Sequence, residues 1–370
     1  MRIVVTGADG FIGRNLAVRL RELGHAEVAR VTRDTTPAEL REAVAGADFV
    51  YHLAGVNRPK DPAEFATGNA GFTERLCTAL AQAGRPIPVA YASSIQAAQD
   101  NAYGRSKRAA EEALLRHGRE CGAPVHLFRL ANVFGKWCRP NYNSAVATFC
   151  HNTARGLPIV VNDPAAALRL VYVDDVVAAF AGLLAQLDAP GGFVEAGPVY
   201  ETTVGEVAGM IRGFAESRSS LVTPRVGTGL VRALYSTYVS HLPTESFAYE
   251  VPRHGDARGV FVEMLKTPDC GQFSYFTAHP GITRGEHYHH SKTEKFLVIK
   301  GTARFGFRHI VTGETHELVT RGGEGRIVET VPGWTHDITN VGDDELIVML
   351  WANEIFDRER PDTVAMKVAP

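Results

Sequence analysis

The stretch TGADGFIG at residues 6–13 decides the fold of the first half of this chain. It comes directly after a β-branched run, Arg2–Thr6, and directly before a helical pattern at residues 13–24. Its glycines permit a tight turn in which backbone N–H groups approach a pyrophosphate, and the helix N-terminus adds partial positive charge. The spacing GxxGxxG in a first strand–helix turn therefore predicts a dinucleotide cradle. The residues expected in it are Gly7, Gly10, Phe11, Ile12 and Gly13.

The sequence after this turn alternates short β-branched runs with longer amphipathic stretches. Further strands are predicted at residues 28–33, 48–53, 89–93 and 125–130, and helices at residues 38–45, 64–83 and 103–121. Strands that alternate with helices form crossovers between parallel strands, so both faces of the sheet are covered. We therefore predict an α/β fold with a Rossmann-like, doubly wound parallel sheet.

The pattern changes near residue 256, where helical periodicity is mostly lost. Short alternating segments between residues 260 and 351 are separated by Gly, Pro, Asn and Asp. This arrangement is typical of an antiparallel sandwich or barrel. We expect two domains, residues 1–245 and residues 252–370, with the boundary at residues 245–252.

Composition excludes several classes of protein. The 370 residues are 22% charged and 45% hydrophobic, as in ordinary globular proteins. Lys and Arg number 39 and Asp and Glu 41, which leaves no positive field for nucleic acid or an anionic membrane. We expect no membrane span and no signal peptide, since a strand pattern begins at Arg2. The five scattered cysteines predict reduced thiols and a cytoplasmic protein.

Two further positions bear on the cofactor. Arg33 ends the second predicted strand, where a carboxylate usually binds the ribose of NAD and an arginine suits the 2′-phosphate of NADP. Asp34 follows, and a solvated strand-end charge is the alternative, but Arg33 favours NADPH. Leu53, Ala54 and Gly55 end the third predicted strand, where small residues let a cofactor lie against the sheet edge.

Tyr103 and Lys107 form the candidate catalytic pair. They stand four residues apart on a predicted helix and so share one face. An ammonium beside a phenol is expected to lower the pKa of the phenol, so that tyrosine transfers a proton at neutral pH. A serine hydroxyl from the preceding loop can hold a carbonyl oxygen, and Ser94 is preferred to Ser93 for this role. Two exposed helix residues are the alternative.

Histidines in the second half predict a metal site. His287 and His289 alternate on a predicted strand, so both imidazoles face inward. Glu294 follows on the next strand, and His336 lies downstream in a Pro–Gly turn region. Three imidazoles and one carboxylate suit a divalent metal with nitrogen and oxygen ligands. His290 is expected to face the opposite way.

Residues 1–240 resemble the extended short-chain dehydrogenase/reductase family. The motifs that carry the resemblance are TGADGFIG, HLAG at residues 52–55, the serine pair, YGRSK at residues 103–107, RLANVFG at residues 129–135 and VDD at residues 173–175. The resemblance implies a Rossmann domain, a nicotinamide cofactor and a nucleotide-sugar substrate. It further implies that Tyr103 is the acid/base, that Lys107 binds the nicotinamide ribose, and that Asn132 lies near the sugar.

The second half resembles the cupins. Their signature, G(x5)HxH(x4)E(x6)G, matches from Gly281 to Gly301, and the second part matches except that Pro332 falls one place late. Zinc is the metal we expect, with iron, manganese and nickel left open. A DxRGxFxE strand at residues 256–263 resembles cupin sugar-nucleotide 3,5-epimerases and implies substrate roles for Arg258 and Lys266. Their catalytic histidine matches a metal ligand here, so the base stays open. The candidates are His290, Lys266, Tyr275 and His309.

The whole chain resembles bifunctional capsular-polysaccharide enzymes of the CapF type, on the UDP-N-acetyl-L-fucosamine pathway. Motifs such as SIQA at residues 94–97, FGKWC at residues 134–138 and PDT at residues 361–363 carry this resemblance. It implies a UDP-2-acetamido-2,6-dideoxy-4-hexulose substrate, epimerised in the cupin at the carbon next to the ketone. The reductase would then use NADPH to give UDP-N-acetyl-6-deoxy-L-talosamine. A homodimer is also implied.

Two other functions fit parts of the sequence. In one, the reductase acts alone and the cupin with its metal is structural. In the other, the chain is a non-catalytic nucleotide-sugar sensor. The presence of both Tyr103 and Lys107 disfavours a sensor, because such proteins often lose one of them.

Overall fold

A computed structural model describes residues 1–256, 259–262, 265, 271–354 and 359–369, with backbone alone at 253–256, 259–262, 272 and 274. The chain forms two compact units. The first comprises Met1–Phe134 and Leu168–Glu201, and the second comprises Gly135–Ala167 and Thr202–Pro370. The predicted division at residues 245–252 follows the change of pattern along the chain and stays a prediction.

The helices and strands follow one another in this order. Up to Phe134 they are β1 (Arg2–Thr6), α1 (Phe11–Glu22), β2 (Glu27–Val31), α2 (Pro37–Ala45), β3 (Phe49–His52), α3 (Ala63–Phe65), α4 (Gly71–Gln82), β4 (Val89–Ser94), α5 (Ala102–Cys121), β5 (Val125–Leu130) and β6 (Asn132–Phe134). Then come α6 (Ala145–Thr153), β7 (Ala167–Tyr172), α7 (Val173–Gly182), β8 (Gly192–Phe193), β9 (Val199–Thr203), α8 (Val204–Ser220) and α9 (Gly229–Ser240). The last group is β10 (Ala248–Glu250), β11 (Arg253–Asp256), β12 (Gly259–Val262), β13 (Gln272–Ala278), β14 (Thr283–Tyr288), β15 (Glu294–Lys300), β16 (Thr302–His309), β17 (Thr315–Arg321), β18 (Arg326–Glu329), β19 (Trp334–Asn340), β20 (Leu346–Ala352) and β21 (Val364–Ala365).

The first unit is built on a six-stranded parallel sheet in the order β2-β1-β3-β4-β5-β8. Its central strands are buried along almost their whole length, as expected for a parallel sheet with helices on both faces. A smaller, three-stranded sheet has the order β6-β7-β9. The predicted doubly wound α/β fold is confirmed.

Helix α5 carries the candidate catalytic pair, and local interactions fix where it begins. The side chain of its N-cap, Asn101, accepts a hydrogen bond from the backbone N–H of Gly104 at 2.7 Å. The helix ends at Gly122, whose φ of 69° is the left-handed conformation that glycine adopts without strain. These ends place Tyr103 in the first turn and Lys107 one turn later.

The second unit contains two five-stranded antiparallel sheets, in the orders β10-β18-β15-β20-β13 and β17-β16-β19-β14-β21. Their inner faces share an aromatic core. The ring of Phe296 on β15 lies 5.9 Å from that of Phe305 on β16, and 6.3 Å from the imidazole of His336 on β19. The expected antiparallel cupin-like architecture is confirmed, and the core reaches the candidate metal ligands.

A buried ionic network joins α8 to the sheets of this unit. The Lys295 ammonium contacts the carboxylate of Glu329, and it donates to the Tyr249 hydroxyl at 2.9 Å. The Arg218 guanidinium lies 2.9 Å from Glu329. Burial opposes the charge of Lys295, but Glu329 outweighs it and raises the pKa of the ammonium well above its usual value. Lys295, Arg218 and Glu329 are therefore each paired with a group of opposite charge.

The sequence predicts no membrane-spanning helix. Within the described ranges, no helix combines the length and the apolar character that a bilayer crossing needs.

The network predicts that Lys295→Met destabilises the second unit. The Glu329 carboxylate would keep only Arg218 as a partner, and breaking a buried pair costs about 3 kcal/mol or more. All three tryptophans, at positions 137, 334 and 351, lie in this unit, so tryptophan fluorescence in denaturant reports its unfolding. Lys300→Met, at an exposed position of the same strand, is the control. Equal unfolding midpoints for the two variants would contradict the prediction.

Candidate functional sites

The glycine-rich turn has the close packing that a dinucleotide cradle requires. Gly7 has a φ of 67°, and a Cβ there would lie 2.7 Å from the backbone nitrogen of Ala54. A Cβ at Gly13 would lie 2.3 Å from the Gly7 carbonyl oxygen. Helix α1 begins at Phe11, and its N-cap, Gly10, supplies no side-chain hydrogen bond. The first-turn N–H groups of α1 are thus available to an anion.

The end of β3 connects this turn to the candidate catalytic lysine. The backbone N–H of Leu53 donates to the Thr6 carbonyl oxygen, and that of Ala54 donates to the Thr6 hydroxyl, both at 3.2 Å. A Cβ at Gly55 would lie 3.3 Å from the Lys107 Nζ. The structure therefore brings three predicted groups together: the glycine turn, residues 53–55 and Lys107.

The prediction that Arg33 ends the second strand is wrong. Strand β2 stops at Val31, and the backbone N–H of Thr32 donates to the Thr35 hydroxyl at 2.9 Å. That side-chain bond replaces a strand pairing and turns the chain. Arg33 stands two residues beyond the strand and is exposed.

Ser94 is the last residue of β4, and Tyr103 and Lys107 lie one turn apart on α5. The Ser94 hydroxyl accepts the backbone N–H of Gln96 at 3.2 Å, and its interaction with the Tyr103 phenol acts to lower the pKa of that phenol. The Lys107 ammonium donates to the carbonyl oxygen of Ala92 at 2.8 Å, and it lies 4.8 Å from the centre of the Tyr91 ring. The arrangement places the Lys107 ammonium against β4 and beside Gly55, in the segment expected to hold a dinucleotide.

The expected lowering of the Tyr103 pKa by Lys107 is not found. Burial raises the pKa of Tyr103, and the hydrogen bond with Ser94 opposes that rise. Burial also lowers the pKa of Lys107 to about 8, while Glu111 opposes that change. The phenol therefore stays protonated at neutral pH, which is the form that donates a proton.

Ser93 and Ser94 have different surroundings. Ser93 donates to the buried carboxylate of Glu111, and the Arg129 guanidinium binds the same carboxylate at 2.7 Å. Ser94 is the serine that meets Tyr103. Sequence reasoning missed Glu111, although its place four residues after Lys107 on α5 puts it on the same helix face.

The structure describes one of the three predicted substrate residues. Asn132 begins β6 and is exposed. Arg258 and Lys266 lie outside the described residues.

The four predicted metal ligands form one cluster. His287, His289, Glu294 and His336 place one nitrogen or oxygen atom each within 4.8 Å of one another. Strand pairing brings His287 of β14 opposite His336 of β19, and Glu294 is the first residue of β15. One Glu294 oxygen lies 3.3 Å from Nε2 of His289 and 3.6 Å from Nε2 of His336.

His289 reaches this cluster in another way than predicted. Strand β14 ends at Tyr288, so alternation along the strand does not orient the His289 ring. Its Nδ1 instead contacts the carbonyl oxygen of Asp362. Likewise, Nδ1 of His287 lies 2.9 Å from the Gly285 carbonyl oxygen. Because a carbonyl only accepts, both rings donate from Nδ1 and keep a lone pair on Nε2.

These surroundings fit a divalent cation. Both ring nitrogens of His289 face oxygen acceptors, Asp362 on one side and Glu294 on the other, whereas a neutral imidazole has a single N–H. Burial lowers the pKa of His287 to about 4, and the neighbouring rings of His336 and His289 add to the effect. Neutral imidazoles beside a carboxylate are the donor set of a zinc-type site.

Lys292 is a second residue that sequence reasoning missed. Its ammonium lies 2.7 Å from the Glu294 oxygen that faces away from His289, and both side chains are buried. Burial acts to raise the pKa of Glu294, but the imidazoles of His289 and His336 outweigh it and lower that pKa well below its usual value. The only signal for Lys292 in the sequence is its position two residues before the predicted ligand Glu294.

The candidate bases differ in exposure. Tyr275 on β13 is 71% exposed, and His290 is half-buried with its ring 5.6 Å from Tyr288. Nδ1 of His309 accepts backbone N–H bonds from Val311 and Thr312, each at 3.1 Å. Lys266 lies outside the described residues.

Comparisons with known proteins match the two halves of the chain to different families. The model of the NAD dependent epimerase/dehydratase family matches residues 3–197, and that of the polysaccharide biosynthesis C-terminal domain matches residues 254–364. A Pseudomonas aeruginosa protein named UDP-2-acetamido-2,6-beta-L-arabino-hexul-4-ose reductase is 59% identical, with 100% of this chain and 99% of the relative covered. The structure of capsular polysaccharide assembling protein CapF from Staphylococcus aureus is 41% identical over 100% of both chains, with a TM-score of 0.69. CapF with the inhibitor 3-isopropenyl-tropolone is 37% identical over 100% of both chains, with a TM-score of 0.64. The resemblance drawn from the sequence is confirmed.

The close packing at the glycine turn predicts that Gly13→Ala weakens binding of a nicotinamide dinucleotide. The new methyl group would meet backbone atoms, which cannot rotate away, and overpacking of about 1–3 kcal/mol corresponds to about fivefold or more in affinity. Titration calorimetry with NADPH measures the change. Gly182→Ala, where no atom lies within 4 Å of the new Cβ, is the control. Wild-type affinity in Gly13→Ala would show that the turn is not the cradle.

Proposed function

The chain belongs to the NAD dependent epimerase/dehydratase family, and from this premise we propose that it epimerises and then reduces a UDP-4-ketosugar. The substrate is UDP-2-acetamido-2,6-dideoxy-4-hexulose, and the product is UDP-N-acetyl-6-deoxy-L-talosamine, a precursor of UDP-N-acetyl-L-fucosamine for capsule or O-antigen. The name of the Pseudomonas aeruginosa relative supports the reduction and the substrate class. The observation that carries the proposal is the interaction of Ser94 with Tyr103 on the helix that also carries the buried Lys107.

Reduction of a ketone needs a hydride for the carbon and a proton for the oxygen. A bound NADPH supplies the hydride. Tyr103 supplies the proton, because burial keeps its phenol protonated until the ketone oxygen gains negative charge. Ser94 holds the same oxygen by a hydrogen bond. Lys107 lies one turn further along α5, and its role in the proposal is to bind the nicotinamide ribose, as the family resemblance implies.

NADPH is the cofactor we propose, rather than NADH. Arg33 is exposed beyond β2 and can reach a 2′-phosphate. Asp9, the acidic residue of the glycine-rich turn, is paired with Arg30. That pairing reduces the repulsion that an unpaired carboxylate would exert on the phosphate.

Epimerisation is the reaction we propose for the second unit. A ketone makes the hydrogen on the neighbouring carbon acidic, so a side-chain base can remove it to give an enediolate. Return of the proton from the other face inverts carbon 3. The base is one of His290, Lys266, Tyr275 and His309, as in the sequence interpretation.

Zinc is the metal we propose for the four-ligand cluster. His287, His289, Glu294 and His336 would hold it, because three imidazole nitrogens and one carboxylate oxygen converge there. When bound, such an ion supplies Lewis acidity toward a substrate oxygen. The Phe296 and Phe305 rings behind the cluster exclude water from its inner side.

A cytoplasmic homodimer is the assembly we propose. Phe273 and Tyr275 on β13 and Met349 on β20 are 49%, 71% and 37% exposed, respectively. Apolar residues that cluster on a strand face favour contact with another protein, here a second copy of the chain.

Two alternatives remain. A purely structural cupin would keep the metal but take no part in proton exchange, and a sensor would bind nucleotide sugar without turnover. The retained Tyr103 and Lys107 favour an enzyme, and the convergence of lone pairs in a buried cluster favours bound metal under either enzymatic alternative.

Tyr103→Phe is expected to lower turnover by about two orders of magnitude or more, because the substitution removes the general acid. The measurement is NADPH oxidation with the 4-ketosugar nucleotide. Tyr91→Phe is the matched control, since the buried Tyr91 hydroxyl has no hydrogen-bond partner among the described residues, and its ring contact with Lys107 is kept. If Tyr103→Phe turns over like the control, another group is the acid.

His289→Gln is expected to lose bound metal and epimerase activity, while reduction of an already epimerised ketone continues. Metal content is measured by mass spectrometry and the sugar products by NMR. His279→Gln, at an exposed position of the same unit, is the control. A folded, metal-free His289→Gln protein that still inverts carbon 3 would mean that the metal is not catalytic and that a nearby side chain does that work.

A further inference from the structure

A carboxylate near the end of the chain binds the loop that carries His289. The side chain of Asp362 accepts backbone N–H bonds from His290, Ser291 and Lys292, at 2.8, 2.7 and 2.7 Å. The Ser291 hydroxyl donates to it at 3.0 Å. Three consecutive N–H groups that converge on one carboxylate form a nest, which fixes the backbone directly after the histidine.

The same residue also orients the histidine itself. The Asp362 carbonyl oxygen receives the Nδ1–H of His289, so one residue fixes both the loop and the ring. This contact selects the tautomer whose Nε2 faces Glu294 and the other ligands.

The residues around Asp362 reach the other two imidazoles as well. Residues 361–368, which we call the clasp segment, include β21, whose Ala365 pairs with His287 of β14. The backbone N–H of Met366 donates to the Glu286 carbonyl oxygen at 2.8 Å, and the Met366 carbonyl accepts from the hydroxyl of Thr335, which precedes His336. The clasp segment thus touches the chain at or next to each of the three histidines.

The far end of the clasp segment is also anchored. The Arg308 guanidinium on β16 donates to the carbonyl oxygens of Val368 and Lys367 at 2.7 and 2.6 Å. The pairing of β21 with β14 and these two bonds fix the segment after Asp362, so Asp362 is held at a defined distance from His289.

We propose that the clasp segment, through Asp362, is the outer layer that sets the metal affinity of the His287, His289, Glu294 and His336 site. This inference rests on the proposed metal site. Outer-layer partners of ligating histidines commonly account for about ten- to hundredfold in metal affinity. Because binding and positioning are linked, metal must in turn stabilise the clasp segment.

The test compares Asp362→Ala and Asp362→Asn with wild type, each stripped of metal and titrated with Zn²⁺ against a chromophoric chelator. We expect both variants to bind about ten- to hundredfold more weakly. Asp343→Asn, at an exposed position in the same unit, is the matched control and keeps wild-type affinity. Folded Asp362 variants with the affinity of the control would overturn the inference. Failure of wild type itself to bind zinc would instead overturn the proposed metal site.

Hydrogen exchange on the wild-type chain decides the question even where an Asp362 variant fails to fold. Zinc is expected to slow amide exchange at residues 290–292 and 364–366 relative to the metal-stripped protein. Protection that rises elsewhere in the second unit but not in these two segments would show that the clasp segment is independent of the metal site.

Discussion

Buried polar groups need partners, and that requirement arranges both candidate sites. His289 shows it most clearly, since oxygen acceptors face both of its nitrogens while a neutral imidazole has one N–H, and a cation on the Nε2 side satisfies them together. In the first unit, Ser93 is committed to Glu111, which leaves Ser94 for Tyr103. Burial then sets the protonation states: the phenol stays protonated, and the pKa of His287 falls to about 4.

These states suit two reactions of one carbonyl. A protonated phenol can give its proton to a ketone oxygen that accepts hydride, whereas neutral imidazoles can ligate a metal near an acidic carbon. The order follows from chemistry. Reduction removes the carbonyl and with it the acidity of the neighbouring carbon, so in the proposed function inversion comes first and reduction then makes it permanent.

Local patterns in the sequence predicted much of this arrangement. The Tyr103–Lys107 spacing and the HxH(x4)E spacing lie within single segments, so the sequence alone indicates which groups meet. Strand β2 was predicted two residues too long because the bond from Thr32 to the Thr35 side chain competes with strand pairing. Asp362 could not be assigned a role, since about 70 residues separate it from the loop it binds and no periodicity connects them. The four-residue spacing from Lys107 could have indicated Glu111 on α5. Its partner Arg129, however, lies on β5, which helix spacing does not reveal.

Solvent labelling tests the central claim most directly. The wild-type chain is given the 4-ketosugar nucleotide and NADPH in deuterated water, and the product is read by mass spectrometry and NMR. The account predicts one deuterium, on the inverted carbon beside the former ketone, and protium from NADPH on the carbinol carbon. A reduced product with no solvent deuterium on the neighbouring carbon would contradict it, because the ketone would then have been reduced without removal of the hydrogen from that carbon.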